Sequence, residues 1–241
     1  MEFEIMRRFY VSSESFFNHR IKLSLEESKH LREVLRLRAG DEVSVFDGKG
    51  KEFSCLVAEV GAKRDSSVLR ILREIPPTSP ESDLDLTLGV AILKGEKFDL
   101  VVQKCVELGV TKLVPISTKR ADAKTIRLER WQKIAVEAAK QSGRAKLMQI
   151  AELIDFTEFI ETANGAKILF SERNGENFST IKADKKITAV IGAEGGWEDS
   201  EIESAIKNDF QIITLSGRIL RAETAAIAIS AILQNRFGDL C

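Results

Sequence analysis

From Leu84 onward, short apolar runs alternate with stretches whose apolar residues recur at helical spacing, and this alternation constrains the fold more than any other feature of the chain. "LDLTLGVAI", "KLVPIS", "AKILFSE", "ITAVIGAEGG" and "FQIITLSG" read as strands. "EKFDLVVQKCVELG", "RLERWQKIAVEAAKQSG", "SEIESAIKN" and "AETAAIAISAILQNRF" read as the helices among and after them. A helix crossing back between two strands leaves them parallel, and a parallel sheet needs cover on both faces. In such α/β sheets ligands bind beyond the carboxyl ends of the strands. The loops after Phe170, Ile191 and Leu215 are therefore the first places to look for a site.

Upstream the texture differs. "EVSVFDG", "EFSCLVAEV" and "SVLRILREI" are short, β-branched and partly alternating, which predicts a small antiparallel sheet or barrel. One helix interrupts it, opening at Ser24 with Glu27 three residues on, a capping-box spacing, and ending before Gly40. "EIPPTSPESD", from Glu74 to Asp83, holds three of the chain's four prolines and reads as a stiff linker. The expected organisation is a β-rich domain over residues 1–75, a linker over 76–83 and an α/β domain over 84–241. With 241 residues and 44% hydrophobic content there is enough apolar material for both cores.

Charge and cysteine usage exclude several classes. The formal net charge is -1, so any nucleic-acid surface must be a local patch. Cys55, Cys105 and Cys241 are few and scattered, which suits free thiols in a reducing, cytoplasmic setting. No apolar run approaches a membrane span and the start has no signal-peptide core, so no membrane partner is expected. The only histidines, His19 and His30, lie in the first domain, so neither a metal cluster nor a histidine triad is expected in the second. Neither the phosphate-binding loop nor the dinucleotide fingerprint has its spacing here.

What remains is three glycine-bearing strand-end loops, "LFSERNGE", "IGAEGGWEDSEI" and "LSGRILRAETAA". Glycine lets a ligand approach the main chain, which suits an adenine edge and a ribose read by backbone groups. Together with "MRRFYV", "HLREVLRLRAGDEVSVFDGKGKEF", "KGEKFDLVVQKCVELGV" and "EAAKQSGR", these loops closely resemble the bacterial 16S ribosomal RNA (uracil-N3)-methyltransferases of the SPOUT superfamily. The resemblance covers almost the whole chain in order. It departs at Ala193, where the family usually has proline, and the family pattern starts at Met6.

The resemblance implies an N-terminal PUA-like β-barrel that contacts RNA, and a SPOUT α/β domain whose C-terminal segment threads a trefoil knot. It also implies S-adenosylmethionine as cofactor, 16S ribosomal RNA within the small subunit as substrate, and a homodimer. Carried over residue by residue, cofactor contacts fall on Leu169, Phe170, Glu172, Ile191, Gly192, Glu194, Gly195, Gly196, Leu215, Ser216, Leu220, Ala222, Thr224 and Ala225. Methylation of uracil N3 requires loss of its proton, after which charge spreads onto two carbonyl oxygens. A fixed guanidinium suits those oxygens and a carboxylate suits the proton. Arg221 and Glu223 are the expected catalytic residues, with Glu194 the other carboxylate close enough in sequence to take the proton. The expected RNA contacts are Arg7 and Arg8, then Lys29, Arg32 and Arg36 at one-face helical spacing with Arg38 after them. Lys94, Lys97, Arg120 and Arg144 extend that track. Trp131 and Trp197 are candidates to stack a base, with Trp131 also at a core-periodic position. The rival expectation, supported by Ala193, is a non-catalytic RNA-binding ribosome-assembly factor on the same fold.

Overall fold

The computed structural model describes residues 7–121, 126–182, 185–215 and 217–240. The chain divides into two compact units. The first takes residues up to Glu81 together with Ala139–Leu147, and the second takes Ser82–Ala138 together with Met148 onward.

The first unit contains strands β1 (Arg8–Tyr10), β2 (Phe16–Phe17) and β3 (Arg20–Lys22), helix α1 (Leu25–Lys29), and strands β4 (Glu42–Phe46), β5 (Glu52–Glu59) and β6 (Val68–Ile75). They form one sheet in the order β1-β4-β5-β6-β3-β2. All pairings are antiparallel except β1 with β4. Two register shifts interrupt the β5–β6 pairing, irregularities of the kind that bend a strand pair. Period-2 alternation sends Ile21, Val43, Val57 and Leu69 into a core shared with Phe9 and Leu31.

The helix after Ser24 is shorter than its spacing predicts. Ser24 Oγ does accept the Glu27 N–H at 3.1 Å, but α1 stops at Lys29. His30–Val34 forms a π-type turn, and Arg36 takes a left-handed backbone with φ of 54°. The proline-bearing segment is likewise not a free linker. Thr78 donates from N–H and Oγ1 to the Glu52 carboxylate at 3.0 and 3.1 Å, and Ser79 Oγ donates to the Ser142 carbonyl at 3.0 Å.

The second unit contains β7 (Asp85–Ala91), α2 (Lys97–Glu107), β8 (Lys112–Ser117), most of α3 (Leu128–Ser142), β9 (Gln149–Ile150), β10 (Ile154–Asp155) and α4 (Phe156–Thr162). There follow β11 (Ala166–Phe170), β12 (Glu176–Asn177), β13 (Lys186–Ile191), α5 (Asp199–Lys207), β14 (Gln211–Thr214) and α6 (Ala222–Phe237). The five long runs read as strands all pair, and every pairing in the sheet is parallel. The order is β10-β8-β7-β13-β11-β14-β12, with β9 beside β8. The short β9, β10 and β12 and helix α4 carry too few periods to be read from sequence. Because β11 sits between β13 and β14, three strands far apart in the chain deliver their carboxyl ends side by side. Among the described residues, no helix is long and apolar enough to cross a membrane.

Candidate functional site

The three glycine-bearing loops converge beyond those strand ends on a cavity of about 470 Å³, a size that suits a small-molecule cofactor. Of the expected cofactor contacts, Phe170, Glu172, Ile191, Gly192, Glu194, Gly195, Gly196, Leu215, Leu220, Ala222 and Ala225 line it, as does Arg221. Leu169 does not, because the strand alternation turns its side chain into the sheet core, where it is fully buried. Thr224 is exposed on α6 away from the lining. Ser216 lies outside the described residues. Ser171, Ala193, Trp197, Thr214, Gly217, Arg218, Ile219 and Ile229 also line the cavity. All but Ile229 lie within two residues of expected ones. Ile229, two turns into α6, has no local signal at all.

The loop glycines serve packing. Trp197 is 1% exposed, donates its indole N–H to the Phe170 carbonyl at 2.9 Å, and packs on Phe156 with ring centroids 5.0 Å apart. It is a wall of the cavity and part of the core, which corrects its reading as a base-stacking residue. A Cβ on Gly192 would stand 2.9 Å from Trp197 Cε2, and one on Gly195 3.0 Å from Arg120 Cβ. Gly196 has φ of +69°, and a Cβ there would meet Glu172 Oε1 at 2.8 Å. Trp131 is also core, 2% exposed and bonded through Nε1 to Asp99 at 3.0 Å.

Side chains fasten the loop from several directions. Arg120 donates to the Gly195 carbonyl at 2.9 Å and to Glu198 at 2.6 Å. Glu198 opens α5 in a reciprocal capping box with Glu201. Ala193, 6% exposed, accepts the Gly196 N–H at 2.9 Å. Lys97 donates to Glu194 at 2.8 Å. Partial burial pushes the Glu194 carboxyl up, but the Lys97 ammonium and the Lys94 N–H outweigh it, so the group stays below the usual carboxylate range. Arg120 and Lys97 are therefore loop fasteners, where the sequence suggests an RNA track. In sequence they stand far from the residues they hold, so no local pattern announces the contact.

Arg218 and Arg221 are exposed at the cavity and have no side-chain partner among the described residues. Arg221 is the N-cap residue of α6, where extended backbone lets the chain turn into the helix. Glu223, the expected proton acceptor, is 9% exposed and does not line the cavity. Its Oε2 stands 3.9 Å from Lys97 Nζ and has no hydrogen bond among the described residues. As an acid in the first turn of α6 it is already favoured by the helix terminus. Glu172 is the lining carboxylate without a hydrogen-bond donor among the described residues, with Arg173 Nε 3.7 Å away.

Several expected RNA contacts turn inward within the first unit. Arg8 is 1% exposed and forks onto the fully buried Glu52 at 2.9 and 3.1 Å. It also donates to the carbonyls of Ala139 and Arg144 at 2.7 and 2.9 Å. Arg144 is 6% exposed and pairs with Glu81 at 2.8 Å. Arg32 donates to the Gly61 and Ala62 carbonyls at 3.0 Å each. Lys29, Arg36 and Arg38 are exposed, as are Arg7 and Lys94. They do not share one helix face, since α1 ends at Lys29.

Residues 80–234 match the model of an RNA methyltransferase domain, and residues 24–64 match that of an RNA methyltransferase PUA domain. The chain is 34% identical to ribosomal RNA small subunit methyltransferase E of Synechocystis over 97% of its length and 80% of that protein. It is 32% identical to the Rickettsia conorii protein of the same name, over 97% of both. A crystal structure of ribosomal RNA small subunit methyltransferase E from Neisseria gonorrhoeae, bound to S-adenosylmethionine, superposes with a TM-score of 0.91 at 33% identity. It covers 98% of this chain and all of that one.

Proposed function

The chain belongs to the family of ribosomal RNA small subunit methyltransferase E, and we propose on that premise that it transfers a methyl group from S-adenosylmethionine to N3 of a uridine in 16S ribosomal RNA. The observation that carries the reading is the cavity on which the three loops converge, with two arginines at it that have no side-chain partner among the described residues. Its residues fit the cofactor. Ile191, Leu215, Leu220 and Ile229 offer apolar walls for an adenine, and the exposed backbone around Gly195 and Gly217 offers N–H and C=O groups. When bound, the cofactor supplies an electrophilic methyl carbon.

The remaining chemistry belongs to the side chains. Arg221 holds the uracil oxygens and lowers the cost of an anionic N3, with Arg218 beside it. Glu172 accepts the proton. Lys97 and Arg120 hold the glycine loop in place, and the loop's close packing on Trp197 excludes water from one wall. No step requires a metal, since the reaction is an in-line displacement.

The same reading gives residues 1–75 the role of an RNA-binding barrel, contacting 16S RNA through Arg7, Lys29, Arg36 and Arg38, with Lys94 from the second unit. It gives residues 84–241 the catalytic role in the cytoplasm, with a trefoil knot at the C-terminal segment and a homodimer as the working form. Support for a second copy comes from α6. Besides its buried side it carries half-buried Ile227, Ala228, Ala231 and Ile232, and Ile219 before it is 85% exposed. The test is to incubate the protein and labelled cofactor with small subunits that lack the modification and to map the product by mass spectrometry. Label on N3 of one uridine is expected. Label on another base, or saturable cofactor binding with no transfer to RNA, overturns the reading.

A further inference from the structure

Three of the seven RNA candidates in the first unit, Arg8, Arg32 and Arg144, turn inward, yet basic side chains outnumber acidic ones there. Strand register shows where some of the others collect. Phe17 stands opposite Arg20 across β2–β3, Arg20 opposite Arg70 across β3–β6, and Arg70 opposite Leu56 across β6–β5. Directly paired residues share a face, so Phe17, Arg20, Arg70 and Leu56 form one row across four strands. Lys22 joins that face two residues beyond Arg20. The opposite face is the core, with Ile21 opposite Leu69 and Leu69 opposite Val57. Arg20, Lys22 and Arg70 are exposed, and Phe17 is 44% exposed.

Two features make this more than solvated surface. Like charges set directly opposite across strands destabilise a sheet, and Arg20 and Arg70 are such a pair. Compensation within the chain is slight. Among the described residues Arg20 has only Glu59 at 3.7 Å, with both side chains at least half exposed. Lys22 and Arg70 have no side-chain partner among the described residues. The other acids on these strands are Glu74, which pairs with Lys51, and Glu52, which is buried and paired with Arg8. The second feature is Phe17 at the end of the row, a flat apolar ring beside two guanidinium groups. Cations interleaved with an exposed aromatic suit a single-stranded polyanion, whose phosphates meet the cations and whose bases stack on ring and guanidinium planes.

We propose that this face of the β2-β3-β6 sheet is an RNA-docking surface, with Arg20, Lys22 and Arg70 on phosphates and Phe17 stacking an unpaired base. The inference rests on the reading of the protein as an RNA methyltransferase and adds residues that local sequence pattern does not mark, because Arg20 and Arg70 are 50 positions apart.

The test measures binding of the full-length protein to protein-free small-subunit RNA across a salt series, with cofactor affinity and Tm as controls. Arg20→Gln with Arg70→Gln should weaken binding at least 10-fold and lower the slope of log affinity against log salt by about 1.5, two phosphate contacts at roughly 0.7–0.9 each. Phe17→Ser should weaken it about 5- to 100-fold with the slope unchanged, the range for one lost base stack. Cofactor affinity should stay at the wild-type value, and Tm of the double variant should not fall, since the substitutions remove a like-charge pair. Wild-type affinity and slope in the double variant would overturn the surface. So would loss of binding to assembled subunits alone, which would mark an acidic protein surface as the partner. Failure of the wild-type protein to methylate any RNA would overturn the functional reading, and that result is distinct from either of these.

Discussion

Gly192→Ala separates two reasons for a glycine at the cavity, room for a ligand and room for the protein's own core. The backbone at Gly192 is outside the left-handed region, so alanine adopts it without strain and gains about 0.4–1 kcal/mol by restricting the unfolded chain. Against that, the new Cβ stands 2.9 Å from Trp197 Cε2 and 3.2 Å from Nε1. The indole cannot swing away cheaply, since it is buried, packed on Phe156 and bonded to the Phe170 carbonyl at 2.9 Å. Overpacking of this kind costs about 1–3 kcal/mol, and loosening the indole hydrogen bond about 1 kcal/mol more. The net is a loss of about 2 kcal/mol, which for a unit of this size lowers Tm by roughly 4–8 °C. The assay is urea and thermal unfolding without cofactor, repeated in a Trp197→Phe background, where the smaller ring relieves the contact and the penalty of the alanine should shrink. An unchanged cofactor-free Tm with weakened cofactor binding would refute the reasoning and return Gly192 to the role of a ligand-approach glycine.

Lys97→Met should raise the cofactor Kd about 3- to 10-fold with little change in Tm, since a part-exposed pair stabilises by under about 1 kcal/mol, and Lys97→Arg should restore it; a loss of RNA affinity alone would return Lys97 to the RNA track. Arg221→Ala should bind cofactor nearly normally and methylate at least 100-fold more slowly, read by calorimetry and single-turnover transfer. Full activity would remove it from the mechanism. Burial pushes the Glu52 carboxyl up, but the Arg8 fork and the Thr78 N–H outweigh that, so its folded pKa lies below the unfolded value of 4.5. The stability this contributes is complete at neutral pH and is lost as pH falls below about 4.5 through the folded value. Glu52→Gln should cost about 3 kcal/mol at pH 7 and flatten the acid limb of unfolding, measured by urea titration from pH 3 to 7.

The apolar periods alone determined the long elements. The strand-helix alternation after Leu84 matches a parallel sheet, and the run from Ala222 to Phe237 is one helix, because burial of a periodic face is a local demand that each segment writes into its own residues. The order of motifs was likewise enough to identify the loops that line the cavity. The sequence did not determine what each charged side chain does. Arg8, Arg32 and Arg144 look like free cations until the fold brings Glu52, the Gly61 carbonyl and Glu81 to them. Lys97 and Arg120 look like an RNA track until the glycine loop arrives. Charge is visible in a sequence, but its partner is not, since ion pairs and exposed rows form between residues that only tertiary structure makes neighbours. The same holds for the glycines, whose need is set by Trp197, Arg120 and Glu172 across the fold. For Phe17, Arg20 and Arg70 it is strand register, a property of pairing, that places them in one row.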